Sequence, residues 1–187
     1  IVSGNLSAKM MNRVYKVKPH EYLKNYKASI YLDSNIKILK DPVSLFQRYL
    51  DSSNFLTLKH AERDCIYSEA LIAMASKKAD YKVTMDQMFS YAKEGYPANN
   101  NLTENRILIR NHNDEHVIRL MEMWWNELNA RTQRDQLSLC YVVWKLKFKI
   151  DFISENPRFK NGYFKWCPHK ADEKRLFYRL TRKLKFY

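Results

Sequence analysis

Asp33-Ser34-Asn35 sets a carboxylate and a carboxamide two residues apart at the end of the short apolar run Ala28-Ser29-Ile30-Tyr31-Leu32, and their oxygens suit a hard divalent cation. If that run is a strand that continues into the alternating Ile36-Lys37-Ile38, both side chains point to the same side. The plainer reading of the same three residues is an Asx turn closing the strand. A second concentration of chemistry is His60-Ala61-Glu62-Arg63-Asp64, four ionisable groups in five residues between an apolar strand and a helix. Carboxylates at a helix start suit its dipole, but a cap needs one polar residue, and the surplus points to a binding site. Arg134-Asp135-Gln136 opens another helix, where an acidic first turn is favourable whether or not a ligand is present.

These groups need elements to carry them. Periodicity predicts a helix over 7–15, strands ending at Asp33 and over 36–38, and a helix opened by Asp41-Pro42 with Val43, Phe46 and Leu50 on one face. It continues with a strand over 55–58 and a helix over 62–78 with Ile66, Ala70, Ala73 and Met74 inward. Thr84-Met85-Asp86-Gln87 reads as a capping box, and Gly95 with Pro97 stops the helix that it opens. A strand over 107–109 follows, then a helix capped by Asn113 that turns Val117, Leu120, Met121, Trp124 and Leu128 inward. A helix from about Arg134 to Lys145 and a strand over 148–153 complete the pattern. Strands alternating with helices argue for α/β layers. Trp124-Trp125 reads as core, with an acceptor-stacking platform as the minor alternative.

The 187 residues are 45% apolar and 14% aromatic, enough for one domain with a real core, read as 1–169 followed by a basic amphipathic C-terminal helix, 170–187. No run reaches the roughly 18 apolar residues of a membrane span. Cys65, Cys140 and Cys167 lack metal-type spacing and read as reduced thiols of a cytosol-like compartment. The net charge of +13 favours acidic partners. Part of it lies in 170–187, where seven Lys and Arg surround Leu176, Phe177, Leu180 and Leu184. That pattern suits either an anionic membrane surface or a solvated terminal helix. Nucleic acid is disfavoured, because no recognition motif accompanies the charge. Only three glycines are present, at 4, 95 and 162, and none lies between a strand and a helix. Either side chains hold any nucleotide phosphate, or the segment that does so precedes Ile1; the second is the expectation adopted.

The chain also resembles a known family. The run from Lys18-Pro19-His20 through Asp33-Ser34-Asn35 is similar to the metal motif of glycogenin-type glycosyltransferases. More closely, most of the chain resembles a glycosyltransferase-like family of plant Golgi proteins with bacterial and viral members. The likeness rests on Pro19-His20, Asp33-Ser34-Asn35, the run from His60 to Tyr67, Glu94-Gly95-Tyr96-Pro97, Asn101-Leu102-Thr103-Glu104-Asn105, Arg110-Asn111-His112-Asn113, Trp124-Trp125 and Arg134-Asp135-Gln136-Leu137-Ser138. It implies a GT-A type fold, a mixed sheet flanked by helices like that of nucleotide-diphospho-sugar transferases, with the N-terminal nucleotide-binding part missing or shortened.

It implies too a transferase moving a hexosyl or related group from a nucleotide sugar to a glycan or polysaccharide acceptor. Mn²⁺ or Mg²⁺ would be held by Asp33, Asn35 and His169, although Asn35 stands where the glycogenin-type motif has a second aspartate. Lys59, His60, Arg63 and Arg134 would contact the donor, Glu104 and Asn105 the sugar or acceptor, and Glu62 and Asp64 sugar hydroxyls. Asp135 would orient the sugar or assist the acceptor hydroxyl, with Gln136 beside it. The competing expectation is a catalytically silent relative that binds an anionic membrane or acidic polymer through its basic surface. The expected location is cytoplasmic and peripheral to a membrane, or the Golgi lumen for a eukaryotic parent.

Overall fold

The structure, a computed structural model, describes residues 6–167. Its centre is a four-stranded mixed sheet of order β1-β4-β3-β5, built from β1 (Ser29–Leu32), β3 (Phe55–Lys59), β4 (Thr103–Arg110) and β5 (Asp151–Phe152). β4 pairs antiparallel with both β1 and β3, and β5 runs parallel to β3. A separate antiparallel pair joins β2 (Ile36–Ile38) to β6 (Phe164–Trp166).

Helices flank the sheet on both sides because alternate strand residues are apolar on both faces. Leu56, Leu58, Ile107 and Ile109 pack with Leu45 of α3 (Val43–Leu50) and with Ile36 and Phe164 of the β2–β6 pair. Phe55 and Leu108 face the larger cluster, formed by α1 (Ala8–Val17), α4 (Ile66–Ala75), α5 (Tyr81–Lys93), α6 (Glu115–Ala130) and α7 (Asp135–Lys145). A short α2 (Pro19–Tyr22) follows α1. The expected stripe Val117, Leu120, Met121, Trp124 and Leu128 is the buried face of α6. Trp124 sits in the core and its Nε1 donates to Ser138 Oγ at 3.1 Å, with Trp125 packed beside the same cluster. In α7 every residue from Leu137 to Val142 is buried, so this helix shows little amphipathicity.

Several boundaries differ from expectation for local reasons. α4 begins at Ile66, so His60 to Asp64 lie in a loop, not at a helix start. α5 begins at Tyr81, capped by Asp80 Oδ1, which accepts from Val83 N at 2.9 Å; Thr84 and Gln87, expected as a capping box, are buried inside the helix. Asp114 caps α6 by accepting from the His116 and Val117 amides, whereas Asn113 donates to the carbonyls of Lys24 and Tyr26. On α3 it is Leu45 that is buried, and Val43 is exposed. β5 is two residues long instead of six, and β6 has no counterpart among the expected elements.

The largest difference is in β4, which starts at Thr103 instead of Ile107. Opposite Thr57 the register stands at Leu108, and opposite Leu58 it has moved to Glu104. Glu104's neighbours Asn105, Arg106 and Ile107 are therefore bulged out of the pairing with β3. Thr57 Oγ1 braces the bulge by donating to the carbonyls of Ile107 at 3.0 Å and Glu104 at 3.4 Å.

Candidate functional site

A cleft of about 290 Å³ opens where the bulge meets the end of α1, the β1–β2 turn, the loop after β3 and the start of α7. In a regular strand consecutive side chains alternate between faces; the bulge lets Glu104, Asn105 and Arg106 all line the cleft. On α1, Met10, Val14 and Val17 are buried, which leaves Arg13 and Lys16, one turn apart, on the cleft side. Arg110, fully buried on β4, donates to the Lys16 carbonyl at 2.6 Å and fixes the end of the helix. Burial pushes the Arg110 guanidinium down to about 9.

The cleft is lined by seven cationic side chains, Arg13, Lys16, Arg63, Lys78, Arg106, Arg134 and Arg158, and by four carboxylates. Three of the carboxylates, Asp135 (5% exposed), Glu69 (3%) and Glu104 (2%), each hold two cations. Asp135 accepts from Lys16 Nζ at 2.6 Å and Arg13 Nη2 at 3.1 Å. Glu69 accepts from Arg63 Nε at 2.9 Å and Arg134 Nη2 at 3.2 Å. Glu104 accepts from Arg158 through Nε and Nη2, at 2.9 to 3.2 Å, and pairs with Arg106 Nε at 2.6 Å. Each unit carries one surplus positive charge, and burial lowers the affinity of Arg106 for its proton despite Glu104. Trp166 stands at this end, with the guanidinium carbons of Arg106 and Arg158 at 5.1 and 5.4 Å from its ring centre.

Asp33 and Asn35 both line the cleft, on a turn instead of an extended segment: Asp33 O accepts from Ile36 N at 2.9 Å. Lys16 Nζ lies 3.6 Å from Asp33 Oδ1. Of ten buried side-chain polar atoms with no protein partner among the described residues, seven belong to cleft residues: Arg13 Nε, Asn35 Oδ1, both amide atoms of Asn105, Arg106 Nη1, Arg134 Nε and Trp166 Nε1. Buried polar groups are nearly always paired with protein, water or ligand, so the cleft is where water or a polar ligand would complete these groups.

The cleft thus brings together Asp33, Asn35, His60, Arg63, Glu104, Asn105, Arg134, Asp135 and Gln136 of the residues singled out in the sequence. Lys59, Glu62 and Asp64 are exposed and do not line it; Glu62 reaches the site only through Arg63, whose Nη1 donates to it at 3.1 Å. His169 and the basic segment 170–187 lie outside the described residues. Burial by itself would raise the Asp135 carboxyl, but Lys16 and Arg13 bring it down to about 2. Such a weak base, with both oxygens engaged, positions the two cations and is a poor proton acceptor.

Sequence reading missed Arg13, Lys16, Glu69, Arg106, Arg158 and Trp166 as site residues. The one signal available was that Arg13 and Lys16 share a face beside an apolar stripe; the bulge that turns Arg106 inward left no local trace.

A family model described as the TOD1/MUCI70, glycosyltransferase-like domain matches residues 5–171, a span that contains every residue lining the cleft. The chain belongs to this family. Over 151 residues it is 26% identical to the probable hexosyltransferase MUCI70 of Arabidopsis thaliana, covering 75% of this chain and 26% of that protein. It spans about a quarter of the length of that relative. No solved structure matches the chain. The mixed sheet flanked by helices agrees with the expected fold class, and membership bears out the expected glycosyltransferase-like family. No helix among the described residues is long and apolar enough to cross a membrane.

Proposed function

We propose that this domain transfers a hexosyl group from a nucleoside-diphosphate sugar to a glycan hydroxyl, and that the cleft holds the leaving diphosphate. The observation that carries the reading is the set of six cations fixed in pairs by buried Asp135, Glu69 and Glu104. As the bond from the anomeric carbon to the phosphate oxygen breaks, negative charge grows on the diphosphate, and fixed cations stabilise that charge without reorganising. Asn105, with a donor and an acceptor both unpartnered, is suited to sugar hydroxyls. Asp33 is the cleft carboxylate least committed to cations, and it is the group we assign to the acceptor hydroxyl's proton.

The family resemblance implies Mn²⁺ or Mg²⁺ at Asp33, Asn35 and His169, the last of which lies outside the described residues. Asn35 Oδ1, buried and unpartnered, is a suitable oxygen donor. Its neighbour Asp33, however, has the Lys16 ammonium 3.6 Å away. Among the described residues, the one group of three acidic or histidine side chains close enough to share an ion is His20, Glu21 and Glu122, which does not line the cleft. Asp33 and Asn35 beside that ammonium do not by themselves make a divalent-ion site, and we assign the charge-neutralising task to the cations.

The test is a melting experiment with nucleoside diphosphates in the presence of EDTA. A ligand at about one hundred times its Kd adds about 2.7 kcal/mol, roughly 5–10 °C for a chain of this size. Arg158→Ala, at the cleft edge, is expected to remove most of that rise. No rise with any nucleoside diphosphate, with or without Mn²⁺, would rule the reading out.

A further inference from the structure

We propose that His60 Nε2 and Arg63 Nη2 form a subsite for one phosphoryl oxygen of the leaving diphosphate, with His60 acting as a neutral hydrogen-bond donor of fixed tautomer. This rests on the function proposed above and adds the chemistry of one position within it.

The loop fixes the tautomer. His60 Nδ1 receives the backbone N–H of Glu62 at 3.2 Å and of Arg63 at 3.1 Å. A ring nitrogen that accepts two hydrogen bonds carries no proton, so the proton of the neutral imidazole is on Nε2. Nε2 lies 3.2 Å from Arg63 Nη2, and a guanidinium nitrogen only donates. Two N–H donors therefore stand side by side. The nearest carboxylate oxygen, Glu69 Oε2, is 2.8 Å from Arg63 Nη2 but 3.9 Å from His60 Nε2, too far to serve both.

An acceptor entering the cleft between the two donors resolves the conflict. An anionic oxygen suits it better than a hydroxyl, because it brings lone pairs and charge without a competing proton. Protonation of His60 would have to occur at Nδ1, against the two amides. Burial and the Arg63 charge also disfavour the imidazolium, outweighing Glu69, Glu104 and Glu62. His60 is 8% exposed and lines the cleft, so its donor reaches ligand and little bulk water.

Two substitutions separate the halves of the ring. Asparagine places an acceptor where Nδ1 stands and has no donor at Nε2; glutamine places a donor near Nε2 and abandons the loop amides. Inorganic pyrophosphate stands in for the leaving group, and its affinity for the full chain is measured by calorimetry. His60→Asn is expected to melt close to the parent yet bind pyrophosphate at least about tenfold more weakly, the loss of one charge-assisted hydrogen bond. His60→Gln is expected to melt lower but to keep more of the affinity. Long-range proton–nitrogen spectra of the unmodified chain are expected to show the His60 proton on Nε2. A proton on Nδ1, or undiminished pyrophosphate affinity in His60→Asn, overturns the subsite alone. Failure of the parent to bind pyrophosphate also overturns the subsite, and failure to bind any nucleoside diphosphate as well, with or without Mn²⁺, overturns the function on which it rests.

Discussion

Replacing Asp135 with Asn preserves its shape and removes the charge that Lys16 and Arg13 share. In the folded chain burial works to raise this carboxyl, and the two cations overcome it, bringing the value from 3.8 to about 2. At roughly 1.36 kcal/mol per pH unit that difference amounts to about 2–3 kcal/mol of stability. Because the folded value is the lower one, this stability is complete above the unfolded value and drains away as the pH falls toward 2. The Asn variant loses more at neutral pH. Lys16, 1% exposed, would keep only Asp33 at 3.6 Å as a counter-charge. Breaking a buried pair on one side costs about 3–5 kcal/mol, or roughly 6–20 °C in Tm at this length. Urea denaturation from pH 7 to pH 2.5 measures both quantities. The gap between parent and variant is expected to narrow by about 1–2 kcal/mol by pH 2.5, because the unfolded chain takes up the proton there while the folded carboxyl still resists it. A variant as stable as the parent at pH 7, or a gap that stays constant or widens in acid, would refute the account of Asp135 as the anchor of a buried cation pair.

Two further outcomes follow from the same arrangement. A double-mutant cycle of Glu104→Gln with Arg158→Lys, read by urea denaturation, is expected to give a coupling energy on the order of 1–3 kcal/mol, because the buried Glu104 carboxylate is held by Arg158 through both Nε and Nη2. Asn35→Asp restores a second carboxylate beside Asp33; Mn²⁺ is expected to raise the Tm of that variant and leave the parent unchanged, since the added charge offsets Lys16.

Most of the sheet, and the helices with apolar stripes, could be read from the residues, because one-sided burial imposes a period that the chain displays. The inward stripe of α6 and the strand Ile107 to Ile109 are examples. What escaped was non-local. β6 pairs with β2 across more than a hundred residues, and Phe164-Lys165-Trp166 is too short to show its partner. Glu104 and Asn105 look like a loop because two polar residues in succession break a strand's alternation, and only the register against Thr57 shows them to be a bulge. The candidate site divides in the same way. Asp33, His60 and Asp135 stand out as polar residues at element ends. Lys16 and Glu69 resemble ordinary surface residues until the fold closes around them, and Arg158 until the fold sets it at the cleft edge.

The carboxylate-held cations also bear on how the cleft responds to salt. Side chains already fixed in pairs lose little rotamer freedom when an anion arrives, so selection rests on the spacing of the charges more than on their number. Dissolved salt screens the attraction that draws an anion from a distance, since the Debye length falls to about 8 Å at physiological ionic strength. It weakens buried contacts far less. On the proposed function, rising salt would therefore slow capture while leaving the residence time of the diphosphate nearly constant, so that the cleft would act as a shape-selective anion host rather than an ion exchanger.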